Sequence, residues 1–244
     1  MRTLAIDTSG DFGVVAITDG GEVRVEMHSR VRSRHGETLL PTIERALALA
    51  ELDVAAIDLL AVGLGPGSFT GVRIGVSTVK GLALARGTPV VGVRTTRVIA
   101  RGLFGALRVP VIDAHKGEVF VAVYEADARG ALTTRLDETH GPPERAAQAI
   151  RDVIGAVLAG SRAERREVTP VLAGSGLALY RDRLLGALGD VITAPRVLDV
   201  PRGALLALEA EEALAARGPD DLASLEPLYV RASDAVLPGS SRDA

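Results

Sequence analysis

The sequence predicts an α/β protein of two similar lobes, each running βββαβαβα. Three observations carry that reading. The order of strand-like and helix-like segments found up to Phe104 returns after Leu107. Each half opens on an apolar strand that closes on an aspartate, Ile6-Asp7 in the first and Ile112-Asp113 in the second. A chain of 244 residues with 47% hydrophobic content is also long enough to build two modest cores. The lobes are placed at residues 1–104 and 105–236, with a Pro-, Gly- and Ser-containing tail at 237–244.

In chain order, Arg2 to Ile6 and Gly13 to Ile17 are short apolar runs, and Glu22 to Met27 alternates charged with apolar residues. Asp19-Gly20-Gly21 is the turn of a hairpin between the last two. From Glu37 the apolar residues Leu40, Ile43, Leu47 and Ala50 recur at three and four, which predicts a helix over 37–50 with Pro41 in its first turn. Leu59 to Val62 follows as a strand, Thr70 to Ala85 as a helix, Pro89 to Val93 as a strand and Thr95 to Phe104 as a helix. The second half repeats this with strands at 109–112, 118–124 and 131–136, helices at 142–158, 177–188 and 203–216, and short strands at 171–173 and 191–193. The charged stretch Ser161 to Glu167 is expected to be a solvent-facing loop.

Composition narrows the function classes. Four Phe, three Tyr and no Trp leave cores of Ala, Leu, Val and Ile, with few aromatic platforms for stacking bases. Lys and Arg number 28 against 31 acids, a net charge of -3, which lacks the basic footprint of a chain that grips nucleic acid by itself. Absent cysteine excludes disulfides, thiolate metal sites and cysteine nucleophiles. Met1 to Asp7 runs directly into a strand with no basic start or long apolar stretch, so a cytoplasmic location is expected. The apolar runs at 59–64 and 90–93 are too short to span a bilayer, and no membrane partner is expected.

The strongest local signal runs from Gly63 to Gly75, Gly-Leu-Gly-Pro-Gly-Ser-Phe-Thr-Gly-Val-Arg-Ile-Gly, between a strand and a helix. Gly63, Gly65, Pro66 and Gly67 would form a tight turn, and Ser68 or Thr70 would cap the helix whose first N–H groups are free. The P-loop lysine and the dinucleotide glycine spacing are both missing, so a phosphate cradle and a purely structural turn stay open. Gly71, Gly75 and Thr78 put small residues on one helical face, while Leu40, Ile43 and Leu47 form an apolar stripe on the preceding helix. These faces suit either covering the sheet or meeting another subunit. Asp7-Thr8-Ser9-Gly10 ends the first strand with a carboxylate and two hydroxyls, and Gly174-Ser175-Gly176 stands at the matching place in the second lobe. Both would suit a nucleotide or its magnesium, and Asx or Ser turns explain them equally. His28, His35, His115 and His140 show no metal-ligand spacing, and Ser68 has no nucleophile-elbow context, so no catalytic or metal-binding residue is assigned. His35 is expected just ahead of the first helix, as a cap or a partner contact.

These motifs resemble the bacterial TsaB (YeaZ) family. The likeness lies in Met1 to Gly10, Arg34-His35-Gly36-Glu37 with Leu39-Leu40-Pro41, Gly63 to Gly75, Lys80-Gly81-Leu82-Ala83, Asp113 to Val119 and Pro227-Leu228-Tyr229-Val230-Arg231. It covers nearly the whole chain. The resemblance implies the two-lobed fold of actin, sugar kinases and Hsp70. It implies a role in forming N6-threonylcarbamoyladenosine at adenosine 37 of tRNAs that read codons beginning with A. In that family the chain is a non-catalytic partner of a catalytic paralogue, TsaD, with the ATPase TsaE joining the complex and tRNA reached through it. The paralogue binds metal with two histidines on its first helix; here His35 stands at one of those places and Leu39 at the other. The resemblance also implies that the first two helices pack against their counterparts in TsaD through His35, Leu39, Leu40, Ile43, Leu47, Gly71, Ile74, Gly75, Thr78 and Leu82. A homodimer would then form when the partner is absent. No cofactor is implied for this subunit itself, with ATP or ADP and magnesium belonging to the complex. The rival expectation is an ATP-dependent small-molecule kinase or ATPase using Asp7, Thr8, Ser9 and Gly174 to Gly176. Protease activity through Ser68 lacks the required His and acid.

Overall fold

A computed structural model describes residues 1–31, 34–160 and 169–230. The charged stretch at 161–167, Arg231 and the tail at 237–244 lie outside the described residues. Five strands form the first sheet: β1 (Arg2–Asp7), β2 (Phe12–Asp19), β3 (Glu22–Arg30), β4 (Leu59–Gly63) and β5 (Val90–Val93), in the order β3-β2-β1-β4-β5. β1, β2 and β3 are antiparallel neighbours, whereas β4 lies parallel to both β1 and β5. The second sheet contains β6 (Leu107–His115), β7 (Glu118–Ala126), β8 (Leu132–Gly141), β9 (Val171–Ala173) and β10 (Ile192–Thr193), ordered β10-β9-β6-β7-β8. Read from β8, this is the first sheet's order and strand sense repeated. The expected duplication is therefore present strand for strand.

Among the described residues there are six α-helices: α1 (His35–Leu49), α2 (Phe69–Arg86), α3 (Thr95–Arg101), α4 (Pro143–Gly160), α5 (Leu177–Leu188) and α6 (Gly203–Arg217). Successive strand residues point to opposite faces, so β1 sends Leu4 and Ile6 toward α1 and α2 and Ala5 the other way. The α1–α2 face is built from Ile43, Ala46, Val72, Val76 and Val79 against Ile6, Ile17, Leu60 and Val62. Ala5, Ala16 and Ala61 line the opposite face and leave room for α6, where a methyl at Gly203 would stand 2.6 Å from Ala16 Cβ. In the second sheet Val109, Val121 and Val123 face α4 and α5. Ile112, Phe120, Ala122 and Tyr124 face α3 through Ile99 and Ala100, with Leu103 just beyond the helix beside them.

The third helix of each half therefore covers the other half's sheet. α3 packs on β6, β7 and β8, α6 packs on all five strands of the first sheet, and the two helices touch between the sheets. This corrects the lobe boundary expected at 105–236. Gly203–Arg217 belongs by packing to the first sheet, and so does the segment after it: Asp220 N donates to Val90 O, Leu228 N to Leu64 O, and Leu225 lies in the α1–α2 core. The sequence marked 203–216 as a helix but not the sheet it would meet.

Several element boundaries also move. α1 begins at His35, so Pro41 lies inside the helix rather than in its first turn. α3 ends at Arg101 rather than Phe104, with Gly102 as its C-cap. β8 runs on to Gly141 because its polar residues occupy a solvent-facing edge paired with β7, a pattern that resembles a loop in composition. Among the described residues, no helix is long and apolar enough to cross a membrane.

Candidate functional site

The Gly-rich turn between β4 and α2 closes over the end of β1. Asp7 is 1% exposed. Its Oδ1 accepts hydrogen bonds from Ser9 N at 2.8 Å and Ser9 Oγ at 2.6 Å, and its Oδ2 accepts one from Thr95 Oγ1 at 2.7 Å. Burial pushes the carboxyl above the usual aspartate range, opposed by the Ser9 and Thr95 hydrogen bonds and by the nearby His35. A methyl at Gly63 would lie 2.0 Å from Asp7 Oδ2, so only glycine lets β4 pass this carboxylate. A methyl at Gly67 would stand 2.2 Å from Ser9 O, which instead accepts Ser68 N at 2.6 Å. Gly65 has φ of 85° and precedes cis Pro66, and its carbonyl accepts Thr95 N at 2.7 Å. Ser68 is the helix N-cap, accepting Gly71 N at 3.2 Å, while Thr70 is exposed and does not cap.

Asp7, Thr8 and Ser9 are all buried. Thr8 Oγ1 donates to Gly71 O at 2.7 Å, leaving none of the three to project from the lip of a cleft. The residues expected to hold magnesium or a nucleotide are thus buried and hydrogen-bonded within the chain. Both Asp7 carboxylate oxygens accept hydrogen bonds from the chain itself, and Gly63 lies against Oδ2.

The second lobe repeats the turn in looser form. His115 N donates to Asp113 Oδ1 at 2.9 Å as Ser9 N does to Asp7, and Asp113 N donates to Ser175 Oγ at 3.0 Å. A methyl at Gly174 would lie 2.1 Å from Val111 O, and Gly174 N donates to Asp199 Oδ1 at 2.8 Å. Gly176 is buried, and only Ser175 of the three is exposed. An open depression of about 500 Å³ runs beside them along α5, lined by Leu177, Tyr180, Arg181, Ala194, Arg196 and Asp199. His28, His115 and His140 each meet a single carboxylate, of Glu26, Asp113 and Glu118 respectively. Among the described residues no group of three His, Asp or Glu could hold a metal ion.

The ten residues assigned to a partner face divide in two. His35, Leu39, Ile43, Gly71 and Gly75 are buried within the chain itself. Thr8 lies against both Gly71 and Gly75, a methyl at Gly75 falling 2.5 Å from Thr8 Oγ1. His35 is the first residue of α1, not a residue ahead of it; its Nε2 lies 2.8 Å from Gly10 O, and its buried Nδ1 has no hydrogen-bond partner. Leu40 is 53% exposed, while Leu47, Ile74, Thr78 and Leu82 are half-buried, so these five remain on the outer surface of α1 and α2. Next to them is a group that the sequence did not single out. Arg73 Cζ sits 3.8 Å over the Phe69 ring, and Arg73 Nε donates to Tyr229 OH at 2.9 Å. Phe69 and Tyr229 are each more than two-fifths exposed. Two of only seven aromatic residues thus meet on one surface. The contact joins residues 156 apart, which no local pattern reports.

Two five-stranded lobes of one topology, with the third helices exchanged between them, make this a protein of the actin-like class, and the turn after β1 is covered by the chain's own Gly-rich loop. Residues 28–155 match the family described as TsaD: tRNA N6-adenosine threonylcarbamoyltransferase. The chain is 37% identical over 159 residues to the tRNA threonylcarbamoyladenosine biosynthesis protein TsaB of Escherichia coli, a match that spans 64% of this chain and 68% of that protein. It is 31% identical over 127 residues to the protein of the same name from Bacillus subtilis, covering 51% of this chain and 56% of the relative. The solved structure of YeaZ from Pseudomonas aeruginosa superposes with a TM-score of 0.77 at 26% identity, covering 93% of this chain and 99% of that one. The chain belongs to the TsaB/YeaZ family of tRNA threonylcarbamoyladenosine biosynthesis proteins.

Proposed function

We propose that this chain is the non-catalytic partner of a TsaD-like catalytic subunit in transferring threonylcarbamoyl to adenosine 37 of tRNA, docking through the outer surface of α1 and α2. The observation that carries the reading is the buried Asp7: both of its oxygens accept hydrogen bonds from the chain itself and Gly63 lies against Oδ2, so the carboxylate is engaged in holding its own turn. Leu39 supports it, since a leucine 3% exposed in the α1 core replaces the second histidine of the catalytic paralogue. The docking surface is Leu40, Leu47, Ile74, Thr78 and Leu82 with Phe69, Arg73 and Tyr229 beside them, an apolar and aromatic group around one guanidinium of the kind that anchors interfaces. A TsaE-like ATPase and tRNA belong to the assembled complex, and the free chain pairs with itself through the same surface. ATP or ADP with magnesium enters with the complex and not through this subunit's first lobe.

Co-expression with the TsaD-like protein of the same organism, followed by size-exclusion chromatography, tests the docking surface. Leu40→Glu is expected to abolish co-elution while circular dichroism stays unchanged, and a complex that survives the charge would remove the α1–α2 assignment. Transfer of threonylcarbamoyl to tRNA by the purified chain alone would overturn the non-catalytic reading.

A further inference from the structure

α3 has seven residues, and its polar side chains, with Arg94 just before them, reach buried carboxylates in both halves of the molecule. Thr95 donates to Asp7 Oδ2 at 2.7 Å in the first sheet. The adjacent Thr96 turns to the second, bonding Glu138 Oε1 and lying 2.9 Å from Tyr124 OH, which itself donates to Glu138 Oε1 at 3.0 Å. Arg94 Nη1 donates to Glu138 Oε2 at 2.6 Å and to Asp137 Oδ1 at 2.7 Å. One turn further on, Arg97 bonds Glu209 of α6 and also donates to Leu132 O of β8 at 3.2 Å. Arg101 reaches Glu212 of α6 at 2.6 Å and Gly130 O at 3.3 Å, and its Nη1 stands 3.3 Å from Glu209 Oε1. The Glu138 and Glu209 side chains are each 3% exposed, and Asp7 is 1% exposed. Apolar contacts run the same way, with Val98 in the first sheet's core and Ile99 and Ala100 in those of the second.

Two-lobed α/β proteins commonly close around a ligand by a hinge between rigid bodies. Here a hinge movement would break buried hydrogen bonds whichever lobe α3 followed: Thr95 to Asp7 and Arg97 to Glu209 if it stayed with the second sheet, Arg94 and Thr96 to Glu138 if it stayed with the first. The exchanged helix α6 adds a second tie, since its own buried Glu209 is held by α3. We propose that α3 bolts the two lobes into one rigid body, so that the seam between them does not open to admit a ligand. The inference does not depend on the partner reading, and a chain that docked to nothing would have the same seam.

The absence of cysteine allows a clean distance measurement. Exposed Ala85 on α2 and Ala156 on α4 are replaced by cysteine in the full chain, spin-labelled, and their separation read by pulsed electron resonance with and without ATP and magnesium. One narrow distance distribution that nucleotide leaves in place is expected. Two populations, or a displacement of more than about 2 Å on adding nucleotide, would overturn the proposal. In the same labelled chain Arg94→Ala with Thr96→Val is expected to broaden the distribution at least twofold, and an unchanged width in the folded variant would equally overturn it. Should that double variant fail to fold, Glu138→Gln, which keeps the shape and removes the charge, is read by the same criterion.

Discussion

The same substitution at two glycines of α2 is expected to act with opposite sign. At Gly71 a methyl carbon would stand 2.1 Å from the carbonyl oxygen of Thr8, with Ser68 Cβ and Oγ a further 3.3 Å contact. Ordinary van der Waals contact begins near 3.4 Å, so α2 and the β1 turn must part by more than an ångström. The atom in the way belongs to backbone, in a turn already fixed by Thr8 Oγ1 on Gly71 O and Ser68 N on Ser9 O. Overpacking of this kind costs about 1–3 kcal/mol or more, against about 1 kcal/mol regained from the higher helix propensity of alanine. Because no flexible side-chain end can absorb the clash, Gly71→Ala is placed at a net loss of about 2 kcal/mol. Gly81, ten positions further along the same helix, is exposed with nothing within 4 Å of the added methyl. Gly81→Ala therefore keeps only the propensity gain, about 0.5–1 kcal/mol. For a chain of this size about 2–4 °C of Tm accompanies each kcal/mol, so thermal unfolding should show Gly71→Ala lower by roughly 4–8 °C and Gly81→Ala higher by about 1–4 °C. Two shifts of the same sign would refute the close approach of α2 to the Asp7–Gly10 turn.

Two carboxylates should give stability opposite dependences on pH. Asp7 is raised by burial, so the folded chain binds its proton more tightly than the unfolded chain, and stability falls as pH rises from 3.8 through the raised pKa. Urea midpoints measured against pH should lose that decline in Asp7→Asn, and identical profiles for the two proteins would contradict it. Glu26 is the reverse case: burial would raise it, but hydrogen bonds from His28, Arg202 and Ala204 N, with the Arg202 charge, outweigh burial and hold it well below 4.5. Its stabilisation of the α6 N-terminus is full above pH 4.5 and is lost as pH falls toward the depressed value. Glu26→Gln should accordingly be less stable than the parent at pH 7, with the two converging in acid; a constant difference across that window would exclude the ion pair as its source.

Much of the architecture was legible because it is local. Short apolar runs marked β1 and β2, alternation of charged with apolar residues marked β3, the three-and-four spacing marked α1, and the Gly-rich turn marked the junction of β4 with α2. The paired aspartates at 7 and 113 also proved equivalent, each closing an Asx turn onto the residue two positions on. β8 was shortened because an edge strand with one wet face has the composition of a loop. The division of the α1 and α2 residues between core and surface was not legible for a related reason. Periodicity reports that one side of a helix is apolar, but it does not separate residues that cover the chain's own sheet, such as Leu39 and Ile43, from Leu40 on the outer surface.

By itself the sequence determined the duplicated strand and helix order, the tight glycine turn with its serine cap, and the motifs that tie the chain to its family. These depend on residues a few positions apart, where backbone preference and hydrophobic period decide the outcome. The tertiary structure alone decided that α3 and α6 exchange sheets, that Asp7 is sealed, and that Gly71 and Gly75 serve the chain's own core. Each of these rests on contacts between distant residues, Thr95 with Asp7 across 88 positions and Arg97 with Glu209 across 112, and burial of a charge is defined only once both sides of its surroundings have come together.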